Sequence, residues 1–185
     1  MKIENVKEAT VISNVPQEDK VEMSISLKGM IHLMGTLTNL YKDPELAVIR
    51  EYYTNGLDAH AAAKVNRPVE VSLPSWDDPS YIVRDFGIGM SKDDLKEIYS
   101  KYGESTKLDT NDELGAFGLG AKSGLTICTQ FTVVSVKNGM KATALVSKSE
   151  TGANTVNVIS NVPTTEGNGT TVQIPVKSKM YEFVT

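Results

Sequence analysis

Residues 83–91 read VRDFGIGMS, and the architecture turns on what Asp85-Phe86-Gly87 is doing there. In a protein kinase, Asp-Phe-Gly carries a magnesium-binding aspartate and comes with an upstream glycine-rich loop, a strand lysine and a His-Arg-Asp catalytic loop. None of these accompanies it. The nearest thing to the strand-lysine motif is AVIR at 47–50, which lacks the lysine and runs on into EYYTNGLDAHAAAK at 51–64, a helical pattern. The kinase reading fails, and the second glycine, Gly89, becomes the informative residue. The β-branched run YIVRD at 81–85 puts Asp85 at a strand end, and Gly87 and Gly89 let backbone approach a ligand closely.

Upstream, Lys42-Asp43-Pro44 is a break with Asp43 as N-cap and Pro44 at the first helical position, so ELAVIREYYTNGLDAHAAAK reads as a long helix. On it Glu51, Asn55 and Asp58 stand at i, i+4 and i+7 and share a face with Val48, Tyr52 and Ala59. A carboxylate and an amide among apolar neighbours are costly unless a ligand, metal or water satisfies them. A solvated face with capping polar groups would carry the same residues.

Downstream, GAFGLGAKS at 115–123 places Gly115, Gly118 and Gly120 ahead of a helix start, where exposed N–H groups attract phosphate. It nearly spells a P-loop, but Ala121 intrudes before Lys122-Ser123, and the run follows a polar loop where a P-loop needs a buried strand. GNGTTVQI at 167–174 sets Gly169-Thr170 at a strand entrance, which an ordinary β-turn also explains.

The rest of the chain is mixed. Residues 1–27 suggest two extended segments, and 29–41 has helical spacing in Met30, Leu33, Met34, Leu37 and Leu40. VEVSL at 69–73 reads as a strand, and 91–103 as a helix with a serine cap, an acidic first turn and Gly103 at its end. Residues 104–124 read as a mobile loop. FTVVSVK and MKATALVSK flank Asn138-Gly139 as a hairpin, followed by strands NTVNVIS and GTTVQIPV. The expected class is α+β: a two-layer α/β sandwich whose mixed, mostly antiparallel sheet is covered on one face by helices.

Bulk properties narrow the function. A chain of 185 residues, 40% hydrophobic, suits one domain with one core. Net charge is −4 without a basic run, which disfavours direct nucleic acid binding. The single cysteine, Cys128 in LTICTQF, reads as a small buried apolar residue, and no disulfide or cysteine metal site can form within the chain. Neither a stretch of 18 apolar residues nor a signal peptide is visible, so the expected location is cytoplasmic with no membrane segment.

Each motif alone is weak, but their order is specific. Glu51-x-x-x-Asn55-x-x-Asp58-Ala59, then Asp85-x-Gly87-x-Gly89, then Gly115-x-x-Gly118-x-Gly120, then Gly169-Thr170 resembles the Bergerat-fold or GHKL ATPases. That family includes gyrase B, the ninety-kilodalton heat-shock chaperone, histidine kinases and MutL. The resemblance covers roughly residues 25–176. It implies an amino-terminal arm at 1–24, an ATP-binding domain at 25–177 and a tail at 178–185. Within the family, VIREYYTNGLDAHA, VRDFGIGMS and GAFGLGAKS look like the amino-terminal domain of the phage rIIA-like proteins, which would place the chain in the host cytoplasm as a fragment or short relative.

The resemblance implies roles. Asp85 would accept a hydrogen bond from the adenine amino group, with Thr170 supporting the base edge and Gly87, Gly89 and Met90 beside it. Asn55 would give an oxygen to magnesium, and Glu51, one turn away, would orient or deprotonate the attacking water. Asp58 joins the nucleotide site from the helix. Gly115, Phe117, Gly118, Leu119 and Gly120 would form a lid over the phosphates, with Lys107 or Lys122 as cationic partner. The ligands would be ATP or ADP with magnesium, acting on an unidentified protein client.

Two rivals share the fold. A histidine or serine kinase usually has a basic residue where Asp58-Ala59 stands and needs a phosphoacceptor histidine, and His32 in MIHLMG is not followed by an acid. A nucleotide-gated module without turnover would use ATP only to order its lid. Relatives usually receive a γ-phosphate-contacting basic residue from a following domain. Here TTVQIPV is followed only by KSKMYEFVT, so slow turnover is expected, steepening with protein concentration if the arm pairs two chains.

Overall fold

In a computed structural model of the chain, residues 43–100, 120–148 and 154–176 are described. Helix α1 (Pro44–Ala63) starts where the sequence predicts. Asp43, extended at φ −139°, accepts the Leu46 N–H on Oδ1 at 3.0 Å, and Pro44 opens the first turn. The helix stops at Lys64, a left-handed residue at φ 54° whose N–H bonds to the Ala61 carbonyl, while Val65 N–H takes the His60 carbonyl. Val48, Tyr52, Gly56 and His60 are buried at four-residue spacing, so one narrow stripe faces the sheet.

Strands β1 (Glu70–Ser72), β2 (Ser80–Arg84), β3 (Gln130–Lys137), β4 (Met140–Lys148), β5 (Asn154–Pro163) and β6 (Gly169–Pro175) form one sheet in the order β1-β2-β6-β3-β4-β5. The β3–β4 hairpin turns at Asn138-Gly139, both at positive φ, 52° and 76°, as a two-residue turn of this handedness requires. Alternate residues point inward: Tyr81 and Val83, Val172 and Ile174, Phe131 and Val133, Ala142, Ala144 and Val146. Helix α2 (Lys92–Ser100) contributes Leu95 and Tyr99 to this core, and a 3₁₀ helix (Gly120–Thr126) contributes Leu125. Phe131 lies with its ring centroid 6.0 Å from both Tyr52 and Tyr99, edge to face with each.

The two-layer α+β sandwich expected from the sequence is what forms. All five pairings among the described strands are antiparallel, so the parallel component of the expected mixed sheet does not occur there. The reason is topological: β6 returns between β2 and β3 and runs opposite to each. Strand β5 continues to Pro163, beyond the predicted run ending at Ser160, because it follows β4 past a bulge at Thr143/Ala144. The segment predicted as loop over 104–124 is helical from Gly120 onward. The expected arm, the helix at 29–41, Gly103 and the tail lie outside the described residues.

Tyr52 joins the layers. Its hydroxyl donates to the Ala121 carbonyl at 2.7 Å and accepts the buried Gly124 N–H at 3.2 Å. Burial pushes this hydroxyl well above its ordinary range, so it stays protonated and able to donate. Tyr52→Phe leaves the ring contacts but orphans a buried N–H, and should lower unfolding stability by about 1–3 kcal/mol in a denaturant titration.

Candidate functional site

Where β2 ends, the chain leaves the sheet and its backbone N–H groups need new partners. Asp85 still exchanges two backbone bonds with Thr170, at 2.8 and 3.2 Å. Beyond it, Phe86 N–H donates to His60 Nε2 at 2.7 Å, Gly87 N–H to Asp85 Oδ1 at 2.9 Å, and Met90 N–H to Ser135 Oγ at 2.7 Å. The glycines are sterically required. A Cβ on Gly87 would stand 2.6 Å from Ala59 Cβ, and Gly89, at φ 65°, has the Val136 carbonyl where a side chain would go.

Asp85 is 9% exposed. Burial raises its carboxyl above the ordinary value of 3.8, against the lowering effect of the Gly87 and Thr170 amides. Thr170, also buried, shares a 2.8 Å hydrogen bond with Ser135 Oγ, which lies 3.1 Å from the Gly169 carbonyl. The carboxylate and hydroxyl expected to meet a base therefore stand side by side on neighbouring strands.

Helix α1 supplies the second half. Glu51 and Asn55 flank the buried stripe and are partly covered, whereas Asp58 is exposed. The Glu51 side chain is 13% exposed, with Arg50 Nη2 3.6 Å from Oε1. Gly120, the first residue of the 3₁₀ helix, faces both: a Cβ there would collide with Glu51 Oε2 and stand 4.0 Å from Asn55 Nδ2. The structure thus brings Glu51, Asn55 and the end of the glycine run together. Gly56 lies between the halves: a Cβ there would stand 3.1 Å from a Val69 methyl and 3.4 Å from Asp85 Cβ.

Lys122 is held inside the fold. Its side chain is buried, its ammonium donates to the Ile98 carbonyl at 2.7 Å, and desolvation brings it down to about 8. Met90 is partly buried against the core. Lys107, Gly115, Phe117, Gly118 and Leu119 lie outside the described residues. Sequence reasoning missed His60 and Ser135, which hold the loop backbone. Their only local signal is a polar residue on an otherwise apolar stripe.

The profile of the family described as histidine kinase-, DNA gyrase B- and HSP90-like ATPase matches residues 43–177. The chain belongs to this family. A search of curated proteins finds no match. Membership points to ATP as the ligand and to ATPase- or kinase-type chemistry. The residues fit such a ligand: a buried carboxylate at one end, and at the other a glycine packed beside the Glu51 and Asn55 head groups. Among the described residues no three His, Cys, Asp or Glu side chains gather as a metal site. No described helix is long and apolar enough to cross a membrane.

The raised carboxyl of Asp85 has a definite sign. A carboxylate whose folded value lies above its unfolded one contributes stability below about 3.8, and that contribution is lost as pH rises through the folded value. Asp85→Asn keeps an acceptor for Gly87 N–H and removes the buried charge. The ligand-free variant should be more stable than wild type at neutral pH, with the gap widening as pH rises from the acid side in parallel urea titrations.

Proposed function

We propose that this is a magnesium-dependent ATP-binding domain that hydrolyses ATP slowly, with Glu51 as general base, Asn55 as the protein ligand to magnesium and Asp85 as the acceptor for the adenine amino group. The supporting observation is that Asp85 packs against Gly56, the residue after Asn55, so one helix borders both the buried carboxylate and the Glu51–Asn55–Gly120 cluster. An adenine amino group can donate to Asp85, whereas guanine presents an acceptor there. Thr170 supports the same edge. Asp58, Gly87, Gly89 and Met90 complete the pocket walls, and residues 115–120 close over the phosphates. Magnesium would neutralise charge on the phosphates. Glu51 holds or accepts the proton of the attacking water, a role suited to a carboxylate that is partly covered yet reachable past Gly120.

Slow turnover is argued from Lys122. Its ammonium is engaged with Ile98, so moving it to a phosphate gives up a buried hydrogen bond, and Lys107 is the other candidate. We further propose that the chain is of the rIIA-like kind, resting on the three sequence stretches quoted above, and that its amino-terminal residues pair two chains when the lid closes. The kinase alternative finds no support at His60, which is buried with Nε2 on a backbone amide rather than presented for phosphorylation.

Calorimetric titration with magnesium–ATP and magnesium–GTP tests the reading: ATP should bind and GTP should not, and absence of ATP binding would overturn it. Asp85→Asn should weaken ATP by roughly 1.5–3 kcal/mol, the range for a charged hydrogen bond. Glu51→Ala should hold affinity within a few-fold while steady-state turnover falls by about 10²-fold or more. If wild type binds ATP but shows no turnover for Glu51→Ala to remove, the domain is a nucleotide-gated module. Asn55→Ala should weaken binding mainly when magnesium is present.

A further inference from the structure

The loop that leaves β2 is held by a group no nucleotide would touch directly. His60 is 5% exposed, on the last turns of α1, and its Nε2 accepts the Phe86 N–H at 2.7 Å. That bond requires an unprotonated Nε2, so the ring is neutral with its proton on Nδ1. Phe86 is the residue immediately after Asp85, and Gly87 beyond it donates back to the Asp85 carboxylate. The His60 ring also lies 6.1 Å from the Phe86 ring, centroid to centroid. The imidazole therefore fixes the backbone on which the base-binding carboxylate is aimed.

We propose that His60 is a positioning residue for nucleotide binding: its neutral Nε2 clamps the Phe86 amide, and protonating it releases the 85–87 turn and lowers affinity for adenine nucleotides. This rests on the assignment of Asp85 as the adenine acceptor. A proton on Nε2 would face the Phe86 N–H donor to donor, so the ring must turn or the backbone must move. The charged groups around the imidazole are mixed. Lys64 caps the same helix, Arg67 and Glu70 lie at the start of β1, and Arg84 and Asp85 close β2. The Arg67 and Arg84 guanidinium carbons stand 3.3 and 4.9 Å from the Phe86 ring centroid, so a cationic imidazole would join two positive groups, with Asp85 as its counter-charge. That counter-charge is the carboxylate the base needs, and pairing it with His60 draws it from its aim.

By linkage, binding and protonation oppose each other equally: ATP should expel a proton from His60 when it binds at mildly acid pH.

The test compares wild type with His60→Gln, whose side-chain oxygen reaches the Nε2 position and accepts without titrating. ATP affinity is measured by calorimetry at pH 8 and pH 5.5. Protonation of the phosphates and of Asp85 affects both proteins, so their ratio isolates His60. The wild-type loss of affinity between the two pH values should exceed that of His60→Gln by roughly five- to tenfold, the scale of one hydrogen bond. Equal losses would overturn the proposal. A second measurement needs no nucleotide: hydrogen exchange of the Phe86 amide in ligand-free wild type. After correction for intrinsic exchange, protection should drop from pH 8 to pH 5.5, and unchanged protection would overturn the clamp whether or not His60→Gln folds. If the amide behaves as expected but ATP does not bind at either pH, the clamp stands and the nucleotide assignment fails, which overturns His60 as a nucleotide-positioning residue.

Discussion

A carboxylate placed where water scarcely reaches organises this domain. Asp85 is nearly buried at the end of β2, and its burial disfavours the charged form. An apolar residue would make a more stable strand end. The surroundings offset part of the cost: the Gly87 amide bonds the carboxylate and the Thr170 amide lies beside it. What they leave uncompensated is the acceptor capacity a ligand donor can use. The absence of side chains at Gly56 and Gly87 follows from this demand, because both let α1 press against the turn that carries the carboxylate.

The turn is held by side chains rather than by a strand partner. His60, Asp85 and Ser135 each take one backbone N–H of residues 86–90. Ser135 is completely buried and has one proton to give. It accepts from Met90, so its proton goes either to the Gly169 carbonyl or to Thr170 Oγ1. In the first case Thr170 must donate to Ser135 and can only accept from a ligand. In the second Thr170 is free to donate. Whether Thr170 can donate to a neighbour is thus set by Ser135 behind it.

What the sequence revealed was local. Asp43-Pro44 specifies a helix start through one side chain and one ring, Asn138-Gly139 specifies a turn through two left-handed residues, and the alternation in β3 and β4 identifies their inner face. The ordered glycine motifs carried the family because each marks a place where backbone must come close. The contacts that aim the site were not legible, since they join residues far apart: His60 to Phe86 over 26 positions, Ser135 to Met90 over 45, Tyr52 to Ala121 over 69. Nothing in the neighbourhood of Ser135, one polar residue in the strand QFTVVSVK, announces a partner on another strand. Lys122 shows the converse. A lysine after a glycine run reads as a phosphate ligand, yet its stem packs among buried neighbours and its ammonium reaches the last turn of α2.

That placement of Lys122 bears on how the 3₁₀ helix is held. The residues between α2 and the 3₁₀ helix include the glycine run, and Lys122 bonds the Ile98 carbonyl near one end of that segment from just inside the other. Tyr52 grips the same 3₁₀ helix from α1 through Ala121 and Gly124. Both contacts tie the 3₁₀ helix to the body and hold its first residue, Gly120, beside Glu51 and Asn55. Helix α1 supplies the reference for both halves. At 1.5 Å per residue, Glu51 and His60 are about 13 Å apart along one rigid rod, so the two cannot drift relative to each other. The Glu51–Asn55–Gly120 cluster and the turn at residues 85–87 are joined through a single secondary-structure element, whose stop at Lys64 lies only four residues beyond His60.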